Sequence, residues 1–238
     1  MLYIIGLGLT CNDISLNALE AIKECQKLYL ENYTSLGCSV KEIEIIIKKK
    51  VIPANRELIE NSSNDMLKEA KKKNVGILVY GDPLCATTHI NYLIGAKKLK
   101  IKIKVIHSSS ILTAIGETGL FLYNFGKITS IPFNNENIKT PIKVIKDNLK
   151  LGLHTLILLD LDPENNKFLS ANEALDYLER NKIDLKCVVC CAMGTDNQEI
   201  GYEKIQDLKK LKFDRLPQCL IIPGKLHFVE KEALNLWR

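Results

Sequence analysis

The residues best suited to chemistry in this sequence collect in short stretches that follow apolar runs. "GDPLCATTH" (81–89) comes directly after "VGILVY" and crowds an acid, two threonines and a histidine into nine positions. "GLGLTCND" (6–13), "HSSSI" (107–111), "DLDPENN" (160–166), "MGTDN" (193–197) and "PGKLH" (223–227) stand in the same relation to other apolar segments. In this setting Asp82 can accept hydrogen bonds from an ammonium or hydroxyl group. Pro83 fixes a turn, and a helix starting near Thr88 would offer free backbone N–H groups. Open α/β sheets bind ligands outside the carboxyl ends of their strands. Six such loops on a two-part chain predict one ligand cleft served by both halves.

Several reaction types lack their residues. There is no Ser-His-Asp set on a sharp elbow, no Walker-type lysine loop and no H-x-x-x-H or H-E pairing, so a metal site is not expected. His89 and His227 stand alone, and Cys85 has no spacing that ties it to a base. The set favours a reaction that depends on positioning more than on acid–base machinery, of which methyl transfer from a sulfonium is an example. "GLGLTC" tempts a dinucleotide reading, with Glu31 at the end of the next strand as the acid. But Cys11 occupies the third glycine position and the helix begins only near Ser15. A nicotinamide-dependent oxidoreductase, or a non-catalytic nucleotide-binding module, remains as the competing class.

Composition narrows the setting. The chain has 238 residues, 46% hydrophobic and 26% charged, which suits one large soluble domain or two smaller ones. No apolar run reaches the roughly 18 residues of a membrane helix, and "MLYIIGLGL" reads as a first strand in place of a signal peptide, so a cytoplasmic protein is expected. The net charge of +5 is mild. The runs Lys48–Lys50 and Lys71–Lys73 read as solvated helix faces, with no interleaved aromatics to stack on nucleic acid. Of eight cysteines, Cys187 and Cys190 form a C-x-x-C. It lies in a strand-like run whose i and i+3 side chains point to opposite faces, so it cannot clamp a zinc ion. All eight are expected as reduced thiols.

Strand patterns at 2–7, 27–30, 76–80 and 103–107 alternate with helical patterns at 15–24, 40–48, 63–73 and 88–99. The second half continues with strands near 128–133, 154–161, 186–193 and 218–224. Helices are expected at 141–152, with Pro at its start, and at 170–181, with the capping box Ser170–Glu173. This alternation predicts α/β units with a largely parallel or mixed sheet. The glycine-spaced "GETGLFLYNFG" (116–126) is the natural hand-over between sheets. Two α/β domains, 1–115 and 116–238, are therefore expected.

The motifs "LYIIGLGL", "ENYTS" (31–35), "GDPLCATTH", the His107 and Ser110-Ile111 stretch, "TGL" with "Y-x-FG" (118–126), "GLHTLILLD" (152–160), "SANEAL" (170–175) and "PGKLH" run nearly end to end. Together they resemble the diphthine synthase family, a branch of the tetrapyrrole-methylase-like, class III S-adenosylmethionine-dependent methyltransferases. The resemblance implies two α/β domains with the cofactor, S-adenosyl-L-methionine (product S-adenosyl-L-homocysteine), in the cleft between them. It also implies a homodimer and repeated methylation of the amino group of the aminocarboxypropyl arm on one histidine of translation elongation factor 2, with no membrane or direct nucleic-acid partner. Carried over by motif, it assigns Leu9, Asp82, Cys85, Ser110, Ile111, Leu159, Ile200 and His227 to cofactor binding. It assigns no general base. Ala192 stands where the family often has Arg, and "NNENIKTP" replaces an aromatic-rich stretch after "SIPF"; both departures bear on substrate contacts. The alternative within the fold is a methyltransferase acting on a tetrapyrrole or RNA.

Overall fold

The apolar runs become strands, and the polar stretches become the loops that leave them. The computed structural model describes residues 1–61 and 63–238. Its chain packs as two units, Met1–Ile111 with Pro163–Asn165 and Leu112–Asp162 with Asn166–Arg238.

In the first unit β1 (Leu2–Gly6), β2 (Lys27–Glu31), β3 (Ile52–Ala54), β4 (Val75–Val79) and β5 (Ile103–Ile106) form a sheet in the order β3-β2-β4-β1-β5, every pair parallel. β1 and β4 are buried along their whole length, as continuous apolar runs in a parallel sheet covered on both faces must be. Leu2, Ile4, Ile77 and Val79 pack on one face with Tyr92 and Ala96. Tyr3, Ile5 and Leu78 pack on the other with Ala18, Ala21 and Ile22. The crossovers are α1 (Leu16–Glu24), α2 (Val40–Ile47), α3 (Ser63–Ala70) and α4 (Ile90–Lys98). Ser15 caps α1 by accepting from the Ala18 N–H, and Ser39 and Glu42 form a capping box on α2.

The lysine runs do more than solvate a face. Lys49 Nζ donates to the carbonyls of Ile22, Lys23 and Cys25 at the end of α1, Lys50 pairs with Glu44 at 2.8 Å, and Lys73 pairs with Glu69 at 2.8 Å. β3 was not expected from sequence. Pro53 at its centre argues against a strand unless that strand lies at a sheet edge, which is where it lies.

In the second unit a short α5 (Ile111–Ala114) and tight 3₁₀ turns within 115–124 precede the next sheet. That sheet holds β6 (Thr129–Ile131), β7 (Thr155–Leu159), β10 (Lys186–Cys191), β11 (Glu199–Lys204) and β12 (Gln218–Ile222), with β8 (Leu161–Asp162) and β9 (Lys167–Phe168) as a separate small hairpin. The order is β11-β10-β12-β7-β6; β6 and β7 are parallel and the remaining pairs antiparallel. α6 (Thr140–Lys150), α7 (Ala171–Arg180), α8 (Ile205–Leu208) and α9 (Phe228–Leu234) complete the unit. α7 carries the expected capping box, Ser170 with Glu173. Cys187, Val189 and Cys191 share one apolar cluster, while Cys190 faces the other side of β10. Burial pushes Cys191 up to about 12, and Cys25 in the first unit up to about 11, so both stay protonated and inert. The expectation that every cysteine is a free thiol is corrected at one pair. Cys11 and Cys38, 27 residues apart, are joined as a disulfide with Cα atoms 5.9 Å apart, because the loops after β1 and β2 meet there.

A buried polar knot fixes the second unit. His154 and Glu230 are fully buried and 2.9 Å apart. The Gly224 N–H donates to His154 Nδ1 at 2.8 Å, so the ring proton sits on Nε2 and is donated to Glu230 Oε1. The same oxygen accepts from the Phe121 N–H at 2.8 Å, and Oε2 accepts from the His227 N–H at 2.7 Å. One carboxylate thus joins the "TGLF", "GLHT" and "PGKLH" stretches. Burial opposes its ionisation, but the backbone donors and His154 outweigh burial and hold Glu230 below the usual carboxylate range.

Glu230→Ala should leave the buried His154 donor and two part-buried N–H groups unpaired and cost roughly 1–3 kcal/mol in urea unfolding at neutral pH. Because its pKa is depressed on folding, the stability that Glu230 contributes is present above the unfolded value of about 4.3 and is lost as pH falls through the folded one. The stability gap between the parent and Glu230→Gln should therefore be widest near pH 7 and narrow below about pH 4.

Candidate functional site

Three parallel strands of the first unit end side by side, and their loops are knotted together. β1 lies between β4 and β5. Beyond its end the chain pairs once more with the chain leaving β4: the Gly81 N–H donates to the Gly8 carbonyl at 2.8 Å and the Gly8 N–H to the Gly81 carbonyl at 3.3 Å. This approach leaves no room for side chains. A Cβ on Gly6 would lie 2.7 Å from the Gly81 oxygen and 2.9 Å from both Pro83 Cδ and Ser108 Cβ, so three loops converge on it. Gly8 has φ +83° and would drive a Cβ into Asp13.

Two acids hold the loops. Asp13 Oδ2 accepts from the backbone N–H groups of Leu9 and Thr10, each at 2.9 Å, and from the Ser109 hydroxyl at 3.4 Å. It thereby fixes the first loop and ties it to the loop after β5. Asp82 Oδ1 accepts from the Leu84 N–H at 2.9 Å. Its Oδ2 meets His107 Nδ1 at 2.8 Å and accepts from the Ser108 N–H at 3.2 Å. Burial raises the Asp82 pKa, but these donors outweigh it and the carboxyl lies below its usual value.

Asp82 was expected as an exposed turn acid free to bind a ligand. It is 7% exposed and already has three protein partners. Its first task is to shape the loop, since buried carboxylates must be hydrogen-bonded. Oδ1 accepts one bond from the chain, within a capacity of two.

Of the residues expected to bind a cofactor, Leu9, Asp82, Cys85, Ser110 and Ile111 fall on these three adjoining loops. Leu9, Cys85 and Ile111 are half-buried and Ser110 is buried. Burial raises the Cys85 thiol, opposed by a hydrogen bond with Ser110. In the second unit Leu159 ends β7, and Ile200 lies in β11, separated from it by β12 and β10. The register runs Ile200–Cys190–Cys219–Leu158, so Ile200 is level with Leu158, and Leu159, one residue on, faces the other side of the sheet. His227, exposed at the start of α9, is held at the His154 end of β7, the end opposite Leu159. The first unit therefore gathers its five residues, whereas the second spreads its three over separate elements.

Sequence reasoning missed Asp13 as the anchor of the first loop, although "TCND" has the spacing of a capping box, and the structure forms one from Thr10 to Asp13. It also assigned no task to His107. Among the described residues no three His, Cys, Asp or Glu side chains are grouped to hold a metal ion, and no helix is long and apolar enough to cross a membrane.

Comparison with known proteins gives a consistent result. The family model described as Tetrapyrrole (Corrin/Porphyrin) Methylases matches residues 1–209. A diphthine synthase of Methanocaldococcus jannaschii is 42% identical over 251 aligned residues, 99% of this chain and 98% of its own length. Another, of Methanococcus maripaludis strain C6, is 41% identical over 249 residues with the same coverage. A crystal structure of diphthine synthase superposes with a TM-score of 0.93 at 34% identity, covering 100% of this chain and 96% of that one.

Two substitutions test the knot. Asp82→Ala should cost roughly 1–3 kcal/mol of stability in urea unfolding, the cost of unpaired buried donors, where a free turn acid would cost almost nothing. Gly8→Ala should cost at least about 1 kcal/mol from the left-handed backbone alone, and more from its collision with Asp13. Unchanged midpoints for both would show that the loops do not depend on these contacts.

Proposed function

The chain belongs to the tetrapyrrole (corrin/porphyrin) methylase family and within it stands with diphthine synthases; on that footing we propose that it uses S-adenosyl-L-methionine to methylate, repeatedly, the amino group of the aminocarboxypropyl-modified histidine of translation elongation factor 2. It is a methyltransferase of diphthamide biosynthesis. The observation that carries this reading is likeness to diphthine synthases over the whole chain, in sequence and in fold.

The loops of the first unit fit the cofactor by their chemistry. Asp82 Oδ1 has capacity for a further donor, such as the ammonium or a ribose hydroxyl. Leu9, Ile111 and Cys85 offer half-buried apolar surface for a base. Leu159, Ile200 and His227 are the further contacts proposed from the second unit. When bound, the sulfonium supplies an electrophilic methyl carbon and leaves as a neutral thioether.

The acceptor amine gives up a proton, its lone pair forms the new carbon–nitrogen bond, and the carbon–sulfur bond breaks with its electrons left on sulfur. Each methylation leaves a basic nitrogen until the quaternary stage, where no lone pair remains and the sequence stops. Holding the amine in line with the carbon–sulfur bond can supply about 7–11 kcal/mol of the barrier reduction. Partial burial of the amine favours its free-base form, so no side chain is assigned as general base. A homodimer is part of the same proposal.

Incubation with labelled cofactor and elongation factor 2 carrying the aminocarboxypropyl arm should give successive methyl increments on one peptide by mass spectrometry. The series should end at the quaternary amine, or one step later if the carboxylate is esterified. A factor lacking the arm should stay unlabelled. Activity confined to a tetrapyrrole, or binding of a nicotinamide nucleotide with no binding of S-adenosyl-L-homocysteine, would overturn the reading. Light scattering should give twice the chain mass.

A further inference from the structure

Two polar side chains that the reaction does not use, Glu31 and His89, meet inside the first unit. Glu31, at the end of β2, is 1% exposed. Its Oε1 accepts from the N–H groups of Tyr33 and Thr34 at 2.9 and 2.7 Å, and its Oε2 accepts from the Thr34 hydroxyl at 2.6 Å. Three donors on one buried carboxyl group suit a carboxylate, which only accepts. His89, also 1% exposed, immediately precedes α4. Its Nδ1 lies 3.0 Å from the Pro83 carbonyl oxygen. That oxygen can only accept, so Nδ1 carries a proton. His89 Nε2 is buried without a hydrogen-bond partner and faces Glu31 Oε2 at 4.0 Å.

A bare lone pair on Nε2 would leave a buried polar atom orphaned in front of a carboxylate, which is costly. A bridging water would leave the ring neutral, so the protonation of Nε2 separates the two arrangements. A proton on Nε2 turns the same geometry into an attraction between opposite charges in a low-dielectric site. The other groups around the ring are already engaged. Tyr80, just after β4, donates its hydroxyl to the Cys38 carbonyl, and burial, followed by the Glu31 charge, pushes its phenol up to about 12. Tyr92 on α4, 6.4 Å away ring to ring, donates to the Ile59 carbonyl at 2.6 Å. Arg56 lies over the Tyr33 ring at 5.2 Å.

We propose that Glu31 and His89 form a buried carboxylate–imidazolium pair that locks the Gly81–Thr88 loop in its ligand-holding shape, with His89 as a positioning residue acting through the Pro83 carbonyl. The loop's ligand is the one assigned above, and in that respect the inference rests on the proposed function. The pair makes "ENYTS" and "GDPLCATTH" two halves of one device. β2 anchors the carboxylate, the carboxylate orients the ring, and the ring holds the turn that carries Asp82 and Cys85.

The test is nitrogen NMR of the full chain labelled in its histidine rings, at pH 7.5, where a free imidazole is mostly neutral. One ring, identified by its loss in His89→Gln, should have both nitrogens protonated. In Glu31→Gln it should revert to the form protonated on Nδ1 alone. S-adenosyl-L-homocysteine should bind about tenfold more weakly to Glu31→Gln by calorimetry, the loss of one buried ion pair behind the loop. His89→Gln, whose amide can still donate to Pro83, should be weakened less than His89→Ala. If no ring of the parent chain has both nitrogens protonated, the pair is overturned, and that result requires no variant to fold. Equal affinity in parent and Glu31→Gln overturns the positioning role. Failure of the parent to bind S-adenosyl-L-homocysteine would count against the proposed function while leaving the ring signal to decide the pair.

Discussion

At Gly8 and Gly81 two segments of chain pass backbone to backbone, and the loops at that end of the first unit are arranged around the contact. Once β1 and β4 lie side by side as parallel neighbours, their outgoing loops must diverge or pair. Here they pair, because Gly6, Gly8 and Gly81 remove the side chains that would hold them apart. The loop after β5 then comes close enough for Ser108 to touch the same spot. Ligand-binding loops are usually the mobile parts of an α/β protein. Here the first two are joined by backbone hydrogen bonds and the third is tied to them through the carboxylates of Asp82 and Asp13, which gives all three a defined shape.

The acids follow one rule throughout the chain. Asp13 collects the N–H groups of Leu9 and Thr10, Glu31 those of Tyr33 and Thr34, Asp82 those of Leu84 and Ser108, and Glu230 those of Phe121 and His227. Asp160 does the same for Phe133 and Leu161. Each carboxylate satisfies donors that a tight loop would otherwise leave unpaired. The negative charge in these loops is thus largely committed to backbone.

Much of this could be read from sequence. Apolar runs with flanking turn residues located β1, β2, β4, β5, β7, β10 and β12, and serines located the starts of α1 and α7, because those signals are local. Of the strands that escaped, β3 and β11 are edge strands whose proline, glycine and charged residues contradict a buried pattern, and β8 and β9 are only two residues long each. At the site, the motifs marked the loops but not the division of labour within them. Asp82 read as a ligand group because its type and position suit one. Its partners His107 and Ser108 lie 25 and 26 residues away, and only the parallel pairing that places β1 between β4 and β5 brings them within reach. The Cys11–Cys38 disulfide and the link from Glu31 to His89 were hidden for the same reason. Tertiary proximity, not spacing, creates them.

The edge strands also decide how copies of this chain can meet. β3 carries Pro53, which has no N–H to offer a neighbour, and β6 at the far edge of the other sheet is only three residues long. β11, the remaining outer strand of that sheet, carries Glu199, Glu203 and Lys204, of which Glu199 and Lys204 are exposed. β5, the other edge of the first sheet, is four residues long and carries the exposed Lys104. Such edges resist extension by a second backbone. A dimer of this chain must therefore be a matter of side-chain surfaces in contact. Its interface can drift in sequence without touching either sheet, and raising the concentration of the folded chain should not by itself feed strand-to-strand aggregation.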